Sequence, residues 1–179
     1  MKRACGSRTS RRVVMIDYSR LDAIVREAGL IAMNRWPVAG KSVKSWDKGD
    51  NDPVCEGDLE VDAFLRRELT ALLPSAGWLS EESVDEAARL TDRLVWVVDP
   101  IDGTRAFLAG GDEWTVAIAV VEAGRPVAAS VFCPRRDEMF LARTGGGAWL
   151  NGARLAVSDR TGLSGATLTG PHSIVANQA

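Results

Sequence analysis

The stretch Leu94-Val95-Trp96-Val97-Val98-Asp99-Pro100-Ile101-Asp102-Gly103-Thr104 decides how this chain is read. Five apolar residues in a row, β-branched at three positions, predict a short buried strand. Two carboxylates leave its carboxyl end three residues apart, with Pro100 stiffening the chain between them. Gly103 permits a sharp turn, and Thr104 opens a short helix through Leu108. Acids at a strand end beside a helix start suit a hard divalent cation and an anion together. The carboxylates supply oxygen ligands, and the free amides of the helix start can hold phosphate oxygens.

Working outward, two segments before the signature carry helical periodicity. Leu21, Ile24, Val25, Ala28, Ile31 and Ala32 recur at helical spacing, and Pro37 stops the run. A polar stretch from Gly40 to Pro53 reads as a loop. A second helix is expected from Asp58 to Leu73, with Val61, Leu65, Leu69 and Leu72 on one face. Gly77 to Ser80 then forms a strand that delivers Glu81 and Glu82, and Ser83 with Glu86 predicts a capping box for a third helix.

After the signature the period changes to two. Trp114–Val121, Val127–Phe132, Met139–Ala142, Ala148–Leu150 and Arg154–Val157 are the strand candidates. Their connections carry Gly124, Pro134 to Asp137, the Gly145-Gly146-Gly147 run and Asn151-Gly152, which predict hairpin turns and a meander. The triple glycine lacks a following Gly-Lys-Ser/Thr and so is a turn, not a phosphate loop. The fold class is therefore α+β, with layered helices packed on a mostly antiparallel sheet.

Composition narrows the function. A net charge of −2 gives no footprint for a nucleic acid polymer, and no apolar run is long enough for a membrane span. Cys5, Cys55 and Cys133 form no Cys-x-x-Cys pair and suit a reducing compartment, so a cytoplasmic location is expected. His172 is the only histidine, which excludes a His-rich zinc site. Residues 1–14 are Arg-rich with no apolar core behind them, and a disordered leader is expected there.

The spacing also discriminates among acidic motifs. Haloacid-dehalogenase-type phosphatases place their two acids two apart; here they are three apart, and in regular extended chain that projects the second to the opposite side. An EF-hand loop fails because Ile101 and Gly103 would occupy ligand positions. Asp99-Pro100-Ile101-Asp102-Gly103-Thr104 instead resembles the signature of the inositol monophosphatase family. The same family's blocks recur in order: Lys48 with Asp52-Pro53-Val54-Cys55-Glu56-Gly57-Asp58, Ser80-Glu81-Glu82-Ser83, Trp114-Thr115-Val116-Ala117, and Gly145 through Gly152.

The resemblance implies a sugar-phosphatase-like N-terminal lobe over 15–160, with 161–179 the start of a second α/β lobe before which the chain is truncated. It implies two or three Mg²⁺ ions. Glu81, Asp99 and the Ile101 carbonyl would hold the first, and Asp99 with Asp102 the second. Glu81 and Thr104 would position and deprotonate the attacking water, Asp58 would orient the Thr104 hydroxyl, and the Gly103 and Thr104 amides would grip the phosphate. Lys48 and Glu82 would stand behind these ligands. The implied reaction is Mg²⁺-dependent, lithium-sensitive hydrolysis of a small phosphate monoester by a metal-activated water. Ser80-Glu81-Glu82-Ser83 and Arg105-Ala106-Phe107-Leu108 look more like 3′(2′),5′-bisphosphate nucleotidases than inositol-specific members.

Two departures stand out. Cys55-Glu56-Gly57-Asp58 replaces the family's Thr-Glu-Ala-Asp, and no Trp-Asp-x-Ala follows Asn151 to complete the second metal site. The alternative is thus an inactive metal-binding remnant or interaction module. An uncovered sheet is expected to favour a homodimer or non-specific self-association.

Overall fold

The computed structural model describes residues 16–37, 42–49, 52–85 and 87–167. The expected leader, Glu86 and most of 161–179 lie outside the described residues. Among the described residues no helix is long and apolar enough to cross a membrane.

Helix α1 (Tyr18–Arg35) starts where Asp17 accepts a hydrogen bond from the Arg20 amide at 3.0 Å. Such a cap satisfies one of the orphan donors of a helix start. Its buried face runs Leu21, Ile24, Val25, Ala28, Gly29 and Ala32, the spacing expected, and it ends before Pro37. The expected loop at 40–53 proves to hold a small antiparallel hairpin, β1 (Ser45–Asp47) with β2 (Pro53–Cys55). Asp47 Oδ1 accepts from the Gly49 and Asp52 amides at 2.8 and 3.0 Å, an Asx-type turn that pins this hairpin.

Helix α2 (Glu56–Leu72) begins two residues before the expected Asp58, because Cys55 takes the cap position. Asp58 and Asp62 are buried on it together with Val61, Leu65 and Leu69. Strands β3 (Ala76–Ser80), β4 (Leu94–Asp102), β5 (Thr115–Glu122), β6 (Arg125–Cys133), β7 (Glu138–Arg143), β8 (Gly147–Leu150) and β9 (Ala153–Arg154) form one sheet in chain order. All pairs are antiparallel except β3–β4, which is parallel. In place of the third helix the chain makes a 3₁₀ turn, Ala87–Thr91. Ser83 spends its hydroxyl elsewhere, accepting from Trp78 Nε1 and donating to Asp62. Strand β9 is also shorter than the expected Arg154–Val157; Val157 is exposed and buries nothing to hold it.

The hairpin turns behave as the sequence implies. Asn151 and Gly152 both take positive φ, 48° and 80°, between β8 and β9. Asn151 also staples the neighbouring turn, accepting from the Met139 amide and donating to the Asp137 carbonyl, each at 2.8 Å.

One sheet face is the core. Leu94, Trp96 and Val98 of β4, Val116, Ile118 and Val120 of β5, and Ala128 and Phe132 of β6 are buried with the apolar faces of α1 and α2. Each such aliphatic side chain contributes roughly 1.5–3 kcal/mol. The opposite face presents Leu79, Val97, Ala117, Ala119, Ala129 and Val131, only partly buried, around a shallow apolar depression of about 490 Å³.

Helix α1 reaches the sheet through Gly29, where an added Cβ would lie 2.5 Å from the Phe132 ring and 2.8 Å from Pro134. Gly29→Ala is expected to destabilise the fold by ~1–3 kcal/mol despite alanine's better helix propensity, because the buried ring must move. Urea denaturation of the two proteins checks this.

Candidate active site

Parallel pairing of β3 and β4 brings two strand carboxyl ends to the same rim. Ser80 lies opposite Val98, and the Glu81 amide continues the ladder by donating to the Val98 carbonyl at 3.3 Å. Glu81 and Asp99 therefore emerge side by side where the parallel β3–β4 ladder ends.

Beyond Asp99 the strand does not stop, as its apolar run suggested, but continues through a bulge. Asp99 pairs with Ala117 and Asp102 with Thr115, so the register shifts by one between them. Pro100, which has no amide to donate, sits in this interruption. The consequence corrects the expectation for regular extended chain. Pro100 and Ile101 are both buried, alternation is broken, and Asp102 comes out on the same side as Asp99. Glu81, Asp99, Ile101, Asp102, Gly103 and Thr104 consequently line one cleft of about 260 Å³, together with Asp52.

Gly103 makes the turn into α3 (Thr104–Leu108) at φ 93°, and an added Cβ would lie 2.6 Å from the Glu113 carbonyl. Left-handed backbone and close approach together leave only glycine here. The short helix is anchored by Phe107, fully buried edge-on against Trp114 with ring centroids 5.0 Å apart. Thr104 Oγ1 lies 2.9 Å from the Ile101 carbonyl and 3.3 Å from Asp58 Oδ1, so its proton serves either acceptor. Asp58 is almost fully buried, and its other oxygen accepts from the Cys55 amide at 2.8 Å. Burial raises the Asp58 carboxyl above the usual range, against the hydrogen bonds from Cys55 and Thr104. The buried Cys55 thiol is pushed up to about 12 by burial and the Asp58 carboxylate.

Lys48 reaches the rim from the β1–β2 connection. Its ammonium lies 2.9 Å from Glu82, 3.6 Å from Glu81 and 3.5 Å from Asp52. Partial burial lowers its pKa, but the hydrogen bond to Glu82 and the three carboxylates outweigh this and the net shift is upward. Glu82, its side chain 4% exposed, is also raised, since Lys48 does not fully offset burial. Lys48 thus ties Asp52, Glu81 and Glu82 together at the rim.

Crowding is greatest at Asp99. Half-buried, with Glu81 and Asp102 as charged neighbours, its carboxyl is raised to about 7. The donor set is all oxygen and rich in carboxylate, with Arg105 also lining the cleft, and it fits a hard divalent ion. Among the described residues no three His, Cys, Asp or Glu side chains are already gathered as a ligand cluster. A cation would have to draw Glu81, Asp99 and Asp102 inward. Sequence reasoning missed Asp52 as a cleft residue, though it lies in a quoted block, and missed Asp62 behind it. No spacing marked either.

A model described as "Inositol monophosphatase family" matches residues 17–178. Inositol-1-monophosphatase of Rhizobium meliloti is 41% identical over 128 residues, 70% of this chain and 47% of that protein. The 3′(2′),5′-bisphosphate nucleotidase CysQ of Aggregatibacter actinomycetemcomitans is 37% identical over 111 residues, 61% of this chain and 41% of its own. Among solved structures, extragenic suppressor protein suhB from Bartonella henselae superposes with a TM-score of 0.72 at 31% identity, covering 80% of this chain and 55% of that one. The chain spans about half the length of the curated relatives it matches.

Proposed function

Because the chain belongs to the inositol monophosphatase family, we propose that its cleft serves Mg²⁺-dependent hydrolysis of a small phosphate monoester. The observation that carries this is the Asp99 carboxyl, crowded by Glu81 and Asp102 at the mouth of the Gly103–Thr104 turn. Such repulsion is relieved by a divalent cation, and Glu81, Asp99, Asp102 and the Ile101 carbonyl are the residues that would hold it. When bound, Mg²⁺ lowers the pKa of water and neutralises phosphate charge. Thr104 and Asp58 form a proton path at the Thr104 hydroxyl, and Glu81 is the second acceptor facing the attacking water. The Gly103 and Thr104 amides, at the start of α3 with no earlier turn to bond to, are suited to phosphate oxygens.

The substrate class is an inositol monophosphate or a 3′(2′),5′-bisphosphorylated nucleotide. Relatives of both kinds match at comparable identity, 41% and 37%. Free, buried Cys55 and Cys133 accord with a reducing, cytoplasmic setting. A second reading, metal binding without turnover, draws on the unassembled ligand set.

Assaying the chain on both substrates tests the proposal. Phosphate release is expected to vanish in EDTA, return with Mg²⁺ and fall with Li⁺. Undiminished release in EDTA would refute the reading. Saturable Mg²⁺ binding with no release would select the second one.

A further inference from the structure

Asp62 lies one turn beyond Asp58 on α2, buried to 8% exposure. Both of its oxygens are taken by the turn that follows β3. Ser80 Oγ donates to Oδ1, and Ser83 Oγ donates to Oδ2 at 3.1 Å. The two serines are themselves committed. Ser80 Oγ accepts from the Glu82 amide at 3.3 Å, and Ser83 Oγ accepts from Trp78 Nε1 at 2.9 Å. One buried carboxylate therefore grips the chain immediately before and after Glu81-Glu82.

The side chains within that turn are not held alike. Glu82 is buried against Lys48, whereas the Glu81 side chain is 47% exposed at the cleft and 3.6 Å from the same ammonium. Lys48 and Asp99 hold the Glu81 carboxylate at its tip, while the path of its backbone is set by the turn that Asp62 clamps. Charged acceptors hold hydroxyl donors more strongly than neutral ones, so an acid suits this place better than an amide.

We propose that Asp62 is a positioning residue, fixing the Ser80–Ser83 turn so that the Glu81 carboxylate is presented to the cleft beside Asp99. This rests on reading the cleft as a cation site. Asp62 itself touches neither cation nor substrate.

The test compares the unaltered 179-residue chain with Asp62→Asn. Asparagine keeps the shape but turns one acceptor into a donor facing a serine. Mg²⁺ affinity by calorimetry is expected to weaken about 10-fold, and amide exchange at Glu82 to quicken by about the same factor, both with the fold intact. Val25→Ala, a cavity in the core face of α1, is the control: it lowers stability and is expected to leave both readings unchanged. Ser80→Ala and Ser83→Ala are expected to act in the same direction, and not additively with Asp62→Asn, as members of one network do. They carry the test if Asp62→Asn does not fold.

Native affinity and exchange in Asp62→Asn would overturn the proposal, as would equal losses in Val25→Ala, which would mark a merely structural role. If the unaltered chain takes up no Mg²⁺, the functional reading falls, and the exchange comparison alone decides whether Asp62 holds the turn.

Discussion

Asp99→Asn is expected to abolish saturable Mg²⁺ binding while making the metal-free protein more stable at neutral pH. Both effects come from one carboxylate. Asp99 is half-buried among Glu81, Asp102 and Asp58, and these surroundings hold its carboxyl at about 7 against an ordinary 3.8. The folded chain therefore binds this proton more tightly than the unfolded chain. The stability it contributes is fully present below pH 3.8 and lost as pH rises through about 7. Above that, ionised Asp99 costs the fold on the order of 1–2 kcal/mol, after discounting for solvent screening of a half-exposed group. Asparagine removes the cost and flattens the dependence between pH 4 and 7. A divalent cation uses the same repulsion in the opposite sense, so the variant should lose affinity by at least about 100-fold. Calorimetry gives the affinity, and urea denaturation at pH 5 and pH 8 gives the slope. Unchanged affinity, or an asparagine variant less stable at pH 8, would contradict this account.

The second large effect is expected at Thr104. Thr104→Ala should lower phosphate-monoester turnover by about 10²-fold and leave Mg²⁺ affinity within a factor of two. The helix it begins is anchored by Phe107 against Trp114 as well as by the threonine, so alanine removes the hydroxyl and leaves the aromatic anchor in place. What is lost is the hydroxyl that hydrogen-bonds the Ile101 carbonyl and links the cleft to the Asp58 carboxylate. Thr104→Ser should retain most activity. Asp58→Asn should be impaired like Thr104→Ala, and the double variant hardly worse than either, because the two groups act as one unit. Equal turnover in Thr104→Ala and the unaltered chain would sink the mechanism.

Helices α1 and α2 were readable because each buries one continuous stripe, and a stripe leaves a period in the sequence. The meander was readable because its turns demand particular residues, as Asn151-Gly152 shows with two consecutive positive φ values. The acids at 81, 99 and 102 were readable as residues, and the cleft that gathers them was implied by resemblance. What escaped depends on contacts made at a distance. The β1–β2 hairpin has three-residue strands, and Ser45-Trp46-Asp47 is wholly exposed, so no alternation forms. The bulge at Pro100 and Ile101 is set by pairing with β5, although the proline inside an apolar strand was a sign of it. Asp62 looked like any polar position on a helix until Ser80 and Ser83 were brought to it from beyond the end of α2. In the sequence Ser83 reads as a helix cap, because Asp62, its partner in the fold, lies 21 positions away.

Cys55 shows what its setting means for chemistry other than hydrolysis. Peroxide and alkylating reagents attack thiolate, and a cysteine at a helix start is ordinarily acidified by the amides there. Here burial first, and then Asp58 one turn along α2, act the other way, raising the thiol to about 12. At neutral pH only roughly one thiol in 10⁵ is then ionised. The Cys55 sulfur is thereby made unreactive toward oxidants by its burial and, to a lesser degree, by the carboxylate that also bonds Thr104. Its modification by a thiol reagent would require the first turn of α2 to open, so the rate of that reaction becomes a clock for local unfolding at the site.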